Sequence, residues 1–410
     1  MPQNLECLTK EPSLRTEREE KKVNSKKILM VATLQCHIAQ FHKPIIKWLH
    51  ENGHQVDVAA KNNLDTKPGL HLDIPGNVYN IPFSRSPFGL ENIKAYCMLK
   101  KIINTGEYDV IHCNTPVGGI LTRIAANKRR KEGKTRVIYE AHGFHFFAGG
   151  PRWNWFLWYP LEKWFSRFTS VLITINKMDY SLACRKFHTK KIIHIPGVGL
   201  DLSQFENAEK KLDLRSEFHL PADSRIVFSV GELNRNKNHQ AIIRAIACLN
   251  DPMVHYFIVG NGPLEDELKY LAQKLGVESN IHFLGYRRDV PSLLKNADVY
   301  ALPSLREGLG MSSIEAMSSG LPIVTSNRHG INDYSENGVT GFKYDPMDYK
   351  GFAEGIRSIL SDDQLRQKMS NHNIEVSRQF TVEKSMERLC EIYREILKDE
   401  QQGFCYYSNL

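Results

Sequence analysis

The chain is predicted to adopt an α/β fold of two doubly wound, Rossmann-like domains facing each other across a cleft. Strand-like apolar runs alternate with amphipathic stretches in two separate series, one starting at Lys26 and one at Arg225. Such alternation builds parallel sheets covered by helices on both faces. The segment IPGVGLD, residues 195–201, sets a proline and two glycines between the series and reads as their hinge. A length of 410 residues also exceeds one ordinary core and suits two domains of roughly 170–200 residues each.

Residues 1–25 carry mixed charge, a proline and almost no apolar periodicity, so a disordered leader is expected there. KKILMVAT, residues 26–33, is the first strand. Further strands are expected at 56–60, 78–81, 110–112, 136–139, 171–174 and 191–195, with amphipathic helices over 38–51 and 117–131 among them. These elements form a first domain over 26–198. The second domain, 199–382, opens its strands with RIVFSVGEL at 225–233 and continues at 257–260, 281–284, 299–302 and 323–325. Residues 383–410 complete the chain as a last helix and a tail.

Composition is globular, with 41% hydrophobic and 24% charged residues and no uncharged apolar run long enough for a membrane span. Neither a transmembrane segment nor a secretory signal is expected. The eight cysteines include no C-x-x-C, which suits thiols kept reduced in a cytosol and offers no zinc signature. Charge divides the chain: residues 26–198 hold 25 Lys and Arg against 11 Asp and Glu, residues 199–410 hold 24 against 30. A basic first half suits nucleic acid, an anionic membrane surface or a pyrophosphate-bearing acceptor. No nucleic-acid-binding motif accompanies it, so nucleic acid is not expected as a partner.

The most informative stretch is SLREGLGMSSIEAMSSGLP, residues 304–322. It follows the buried strand ADVYALPS and opens a helix, with Glu307 in the strand-to-helix loop and Glu315 further along the helix. Backbone N–H groups of Gly308, Gly310, Met311 and Ser312 at such a helix start favour a phosphate, and Leu309 on the same turn is counted with them in the donor site. A carboxylate beside a phosphate makes sense where it receives hydroxyl groups. The combination therefore suggests a nucleotide-sugar, with its diphosphate on the helix end, one carboxylate on the ribose and the other on the sugar to be transferred.

The spacing E-x7-E, followed by A-M-x-x-G-x-P, resembles the retaining glycosyltransferases of the GT-B fold, family 4. The resemblance extends through VFSVGELNRNKNH (227–239), FIVGNGPLEDEL (257–268), IHFLGYRRDVPSLLKNADVYALPS (281–304) and NGVTGFKYDP (337–346). The first half is similar to the subgroup that builds bacterial exopolysaccharides and capsules, through FHKPIIKWLHENGHQVDVAA (41–60), HCNTPVGGILTRIAA (112–126) and YEAHGFHFF (139–147).

This resemblance implies a division of roles. Lys237 matches the family's phosphate-binding lysine. Its usual arginine partner is replaced by Glu232, so Arg235 is expected to reach the phosphates instead. Gly260 and Gly262 of the GNGP turn belong to the donor cleft, and Tyr286 and Arg287 frame the nucleotide base. His142, at the end of a strand and followed by Gly143, matches the histidine beside the transferred sugar, so His142, Glu307 and Lys237 form the expected catalytic set. Near the first strand the family's Gly-Gly pair is replaced by TLQCHIAQFH (33–42), where His37 either faces the cleft or caps a helix. In the family the last helix crosses back to the first domain, which places 383–398 there.

No Asp-x-Asp pair occurs in the chain, so metal-independent catalysis without a cofactor is expected. His142 and His145 lack a carboxylate or thiol to complete a metal set. Four of the five tryptophans fall in PRWNWFLWYPLEKWF (151–165), either an aromatic helix packed on the sheet or a membrane-docking face. The implied activity is transfer of a sugar from a nucleotide-sugar, a UDP-sugar by expectation, to a lipid-linked saccharide acceptor. The implied location is cytoplasmic, peripheral at the inner face of the plasma membrane. The alternatives are a nucleotide-sugar 2-epimerase of the same fold and a catalytically inactive sugar-nucleotide-binding partner of an assembly complex; Glu232 in place of the arginine keeps the latter open.

Overall fold

The computed structural model describes residues 25–66, 69–84, 86 and 88–398. The leader expected over 1–25 lies, but for Ser25, outside the described residues, as does the tail beyond Lys398. Seven strands form the first sheet: β1 (Lys27–Leu34), β2 (Gln55–Lys61), β3 (Val78–Asn80), β4 (Val110–Asn114), β5 (Arg136–Ala141), β6 (Val171–Thr174) and β7 (Lys191–His194). Six form the second: β8 (Arg225–Val230), β9 (Val254–Val259), β10 (Ile281–Phe283), β11 (Val299–Leu302), β12 (Ile323–Ser326) and β13 (Gly341–Tyr344). Their orders are β3-β2-β1-β4-β5-β6-β7 and β10-β9-β8-β11-β12-β13, and the pairings are parallel.

Central strands are apolar on both faces because helices cover both, and Ile28, Leu29, Met30, Val31 and Ala32 of β1 are fully buried. Each such Ile or Leu contributes roughly 1.5–3 kcal/mol on leaving water. The strand order reverses between β1 and β4 and again between β8 and β11. At such switch points the connections diverge to opposite faces and leave a crevice at the carboxyl edge of the sheet. The loops after β1, β4 and β5 therefore meet one side of a cleft, and those after β8 and β11 the other.

Two local departures from simple periodicity shape the cleft. The stretch expected as one helix over 38–51 is two, Gln35–Phe41 and Lys43–Glu51, with His42 between them. Pro44, in the first turn of the second helix, has no N–H to donate to the turn before it, so the chain breaks there and His42 turns inward, almost fully buried. The last helix, Val382–Lys398, leaves the second domain and packs on the helix Lys43–Glu51 of the first. Its buried Tyr393 lies with its hydroxyl 2.8 Å from His112 Nδ1 in β4, and Glu395 pairs with Lys191 of β7.

The aromatic segment forms the helix Arg152–Phe165 and divides by face. Trp155 donates its indole N–H to the Phe147 carbonyl at 3.2 Å, and Trp158 stacks on His145 with ring centres 4.7 Å apart. Trp153, Phe156 and Trp164 point outward, 72%, 77% and 54% exposed. Among the described residues no helix is long and apolar enough to cross a membrane.

Candidate active site

Lys237 sits in the loop after β8, and long-range polar contacts hold that loop to the one after β11. Asn238, in the left-handed region at φ 55°, donates to the carbonyls of Pro303 at 3.0 Å and Pro346 at 2.8 Å. Leu305 N donates to the Asn236 carbonyl at 2.8 Å, and Asn236 Nδ2 to the Arg306 carbonyl at 3.0 Å. These bonds bring Lys237 Nζ to 2.6 Å from Glu307 Oε1, with the side chains 22% and 14% exposed. A pair this enclosed is poised for a ligand, because an incoming anion takes over the ammonium while an incoming hydroxyl donates to the carboxylate.

The loop reaches the helix Met311–Ser318 through Gly310, at φ 81°. A side chain there would be strained, and its Cβ would meet the Tyr334 hydroxyl at 2.7 Å. Glu315, on that helix, is largely buried, and burial raises its carboxyl to about 7, with the Lys237 charge pulling the other way. Lys237 thus acts on both members of the E-x7-E spacing.

The remaining donor-side residues are dispersed. Gly260 and Gly262 pack their backbone against Gly231 and Leu233, so the GNGP turn closes on the loop that begins the Lys237 segment. The Arg287 guanidinium is held by both carboxylate oxygens of Asp289, and Tyr286 is largely exposed. Arg235 lines a groove with Arg244, Glu267, Tyr270 and Lys274, and neither Lys237 nor Glu307 belongs to it. Glu232 accepts from Asn234 Nδ2 at 3.0 Å.

Across the cleft, β5 presents Glu140 and, one residue beyond its end, His142. Glu140 is buried, with Oε1 3.1 Å from His142 Nε2 and Oε2 3.2 Å from His112 Nε2. Burial alone would raise its carboxyl, but hydrogen bonding to His112 and His142 and the nearby imidazoles hold it well below the usual range. His142 Nε2 also lies 3.4 Å from Asn114 Oδ1. His37 and His42 complete the surroundings, their ring centres 4.5 and 6.0 Å from that of His142. His145 instead turns to Trp158, and burial lowers its imidazole to about 4, helped by the Arg306 charge.

The two sides touch. A Cβ on Gly308 would lie 2.2 Å from the His142 carbonyl oxygen, and one on Gly143 would lie 2.8 Å from Gly308 Cα. Only paired glycines let the loops meet this closely, and the contact sets Glu307 and His142 on one cleft. A polar latch lies beside it: Asp179 Oδ1 is 2.8 Å from His329 Nε2, and Asp179 Oδ2 accepts from Phe144 N and Asn176 Nδ2, each at 2.9 Å. Asn176 Nδ2 also donates to the Gly308 carbonyl at 2.9 Å. His329 stacks on Phe147, ring centres 4.8 Å apart.

Sequence reasoning did not single out Asp179, His329, Glu140 or Arg306. The first two pair across 150 positions, which no local pattern reveals. Glu140 was visible in principle, since residues two apart on a strand share a face with His142. Arg306 directly precedes Glu307 and is largely buried; burial lowers its guanidinium, while Glu307 and Asp179 act to raise it.

Two family descriptions match the chain, "Glycosyl transferase 4-like" over residues 27–176 and "Glycosyl transferases group 1" over 210–376. EpsD of Bacillus subtilis (strain 168), assigned as a glycosyltransferase, is 37% identical over 376 residues, which span 90% of this chain and 96% of that one. The chain is a group 1, family 4-like glycosyltransferase. The glycosyltransferase is also 30% identical to the UDP-Gal:alpha-D-GlcNAc-diphosphoundecaprenol alpha-1,3-galactosyltransferase of Escherichia coli, over 74% of its length and 80% of that protein's. Identity is 24% with CapM, the capsular polysaccharide biosynthesis glycosyltransferase of Staphylococcus aureus, over 85% and 94%. Among solved structures, Anabaena HepE in complex with UDP and glucose superimposes with a TM-score of 0.71 at 22% identity, covering 90% of the glycosyltransferase and 100% of HepE. The glycosyltransferase therefore has the GT-B fold that the motifs implied.

Proposed function

We propose that the chain transfers a sugar, with retention at its anomeric carbon, from a UDP-sugar to a lipid-linked saccharide during assembly of a bacterial exopolysaccharide or capsule. The observation that carries this is the meeting of the Lys237–Glu307 pair with the His142 loop through Gly308. Lys237 and the amides of Gly308, Leu309, Gly310 and Met311 receive the donor diphosphate and stabilise the charge it gains as the glycosidic bond breaks. Glu307 accepts hydroxyls of the transferred sugar, Glu315 those of the ribose, and His142 lies beside the anomeric centre. Gly260 and Gly262 shape the donor side, and the backbone of Tyr286 and Arg287 borders the base. Arg306, adjoining Glu307, is better placed than Arg235 to add a second cation. The acceptor class follows from the similarity to the undecaprenol-linked galactosyltransferase.

The test is turnover of a UDP-sugar panel with a pyrophosphate-linked lipid saccharide, the product's anomeric configuration being read by NMR. An axial sugar formed from an axial donor supports the proposal. Epimerised donor without acceptor, or tight UDP binding with no turnover on any acceptor, would replace it with the epimerase or the inactive binding partner.

Departure of the diphosphate is assigned to Lys237 and the loop amides, given a sequence without Asp-x-Asp. Added Mg²⁺ or Mn²⁺ should therefore leave the initial rate unchanged, and an absolute requirement for either would contradict the assignment.

Glu315 gives the donor site a pH dependence. Its carboxyl is raised to about 7 by burial, so it is protonated below that pH and accepts from ribose hydroxyls as an anion only above it. UDP affinity should rise as pH increases through about 7, and E315Q should bind weakly with a flat profile, losing roughly 1.5–3 kcal/mol at high pH. Stability runs the other way: the group favours folding below its usual range and loses that contribution as pH rises through about 7. Calorimetric titration with UDP across this range decides; a flat wild-type profile would remove Glu315 from the ribose.

The chain is proposed to work at the cytoplasmic face of the plasma membrane, with Trp153, Phe156 and Trp164 and the cluster Lys128, Arg129, Arg130 and Lys131 as contacts. Each basic residue near an anionic surface is worth on the order of 1 kcal/mol. Binding to phosphatidylglycerol vesicles should exceed that to phosphatidylcholine vesicles and fall with salt in sedimentation. Equal binding to both would leave the aromatic face alone as an anchor.

A further inference from the structure

His37 and His42, gathered around His142, have no part in the glycosyl transfer proposed above. Each offers a ring nitrogen within 4.8 Å of those of the other two. His37 Nε2 and both ring nitrogens of His42 are buried without a hydrogen-bond partner among the described residues. A buried polar atom left unpaired costs about 1–3 kcal/mol; one occupant at the cluster would take His37 Nε2 and one of the two His42 nitrogens, since an imidazole gives a single nitrogen to any one ion. We propose that His37, His42 and His142 form a tri-histidine site for a first-row divalent metal of the zinc class.

The surroundings fit such an ion. Glu140 Oε1, 3.1 Å from His142 Nε2, fixes the proton on that nitrogen and leaves the Nδ1 lone pair for the metal, the carboxylate–histidine–metal arrangement that orients a ligand and raises its basicity. Its negative charge, enclosed among imidazoles, is complemented by a dication. Imidazole nitrogens are borderline donors that favour zinc over Mg²⁺ or Ca²⁺, which require a shell of oxygens. The nitrogens lie within 4.8 Å of one another, and a tetrahedral zinc at about 2.0–2.1 Å holds its ligands roughly 3.3 Å apart, so the rings would draw in on binding. His37 and His142 are only part-buried, so the fourth position opens toward the cleft, where an acceptor oxygen or phosphate would find it. The residues proposed above for the donor diphosphate, Lys237 and the amides of Gly308–Met311, are not among the three histidines. His37 stands in the helix Gln35–Phe41 that follows β1, His42 at the end of that helix and His142 just beyond β5, so the proposed set is not the His142/His145 pair weighed in the sequence.

The test uses the full chain, stripped with a chelator and titrated with Zn²⁺ alone, without donor or acceptor, followed by elemental analysis and Co²⁺ substitution. One equivalent per chain is expected, with the intense visible absorption of four-coordinate Co²⁺. H145A should bind as wild type. E140Q should weaken binding roughly 10–100-fold, and H37A and H142A should weaken it further than E140Q does. Circular dichroism checks each fold, and the part-buried His37 provides the ligand variant least dependent on packing. Failure of the wild type to bind one equivalent, a weak six-coordinate Co²⁺ spectrum, or undiminished binding by H37A overturns the site whatever the transfer activity.

Discussion

K237A should lose roughly 100- to 1000-fold in turnover while the KM for donor rises only a few-fold. The diphosphate carries most of its new charge only as the glycosidic bond breaks, so the ammonium acts chiefly in the transition state, and loss of one preorganised donor of this kind costs about 2.7–4 kcal/mol. Lys237 also holds Glu307 at 2.6 Å and opposes the upward shift of Glu315. Its removal therefore moves the pH midpoint of UDP binding upward, a second signature on the same protein. Steady-state kinetics with varied donor and a UDP titration against pH measure both. Unchanged turnover would take Lys237 out of the catalytic set, and an unmoved midpoint would detach it from Glu315.

H142A should fold and bind UDP as wild type does yet lose roughly 100- to 10,000-fold in transfer, the range for a side chain acting at the reacting centre. The ring stands at the carboxyl edge of β5, part-buried and held by Glu140 and Asn114, on the far side of the cleft from the Lys237 loop. The residues proposed for the diphosphate and the base, Lys237 and the Tyr286–Arg287 backbone, come from other loops. A histidine serving only to pack would behave otherwise: its loss would lower the melting temperature, with UDP binding and turnover declining together. Melting temperature, UDP affinity and turnover on one metal-free preparation separate the cases, and a stable variant with near-normal turnover would remove His142 from the mechanism.

Both sheets were legible because buried parallel strands write themselves as continuous apolar runs; β4, whose five residues are all buried, is one example. The placement of Lys237 and of the E-x7-E spacing was legible because each motif is local. Arg235 was not. Its direction depends on the left-handed turn at Asn238 and on bonds to Pro303, Pro346 and Arg306, residues 65 to 108 positions from the atoms they engage. The one helix expected over 38–51 missed the effect of Pro44, which was in plain view. Glu140 was overlooked although its spacing to His142 was local, whereas the Asp179–His329 latch escaped because its two members come from different domains, and pairing across a cleft leaves no periodic trace.

The return of Val382–Lys398 to the first domain makes that domain discontinuous in the gene. Its β4 histidine, His112, lies between Glu140 and Tyr393, a residue encoded 281 positions later. A first half expressed alone, or exchanged between relatives at the hinge over 195–201, would carry His112 away from Tyr393 and expose the surface the last helix covers. Functional chimeras within this family should thus require two crossovers, one at the hinge and one before Val382, so that the last helix is inherited with the first half.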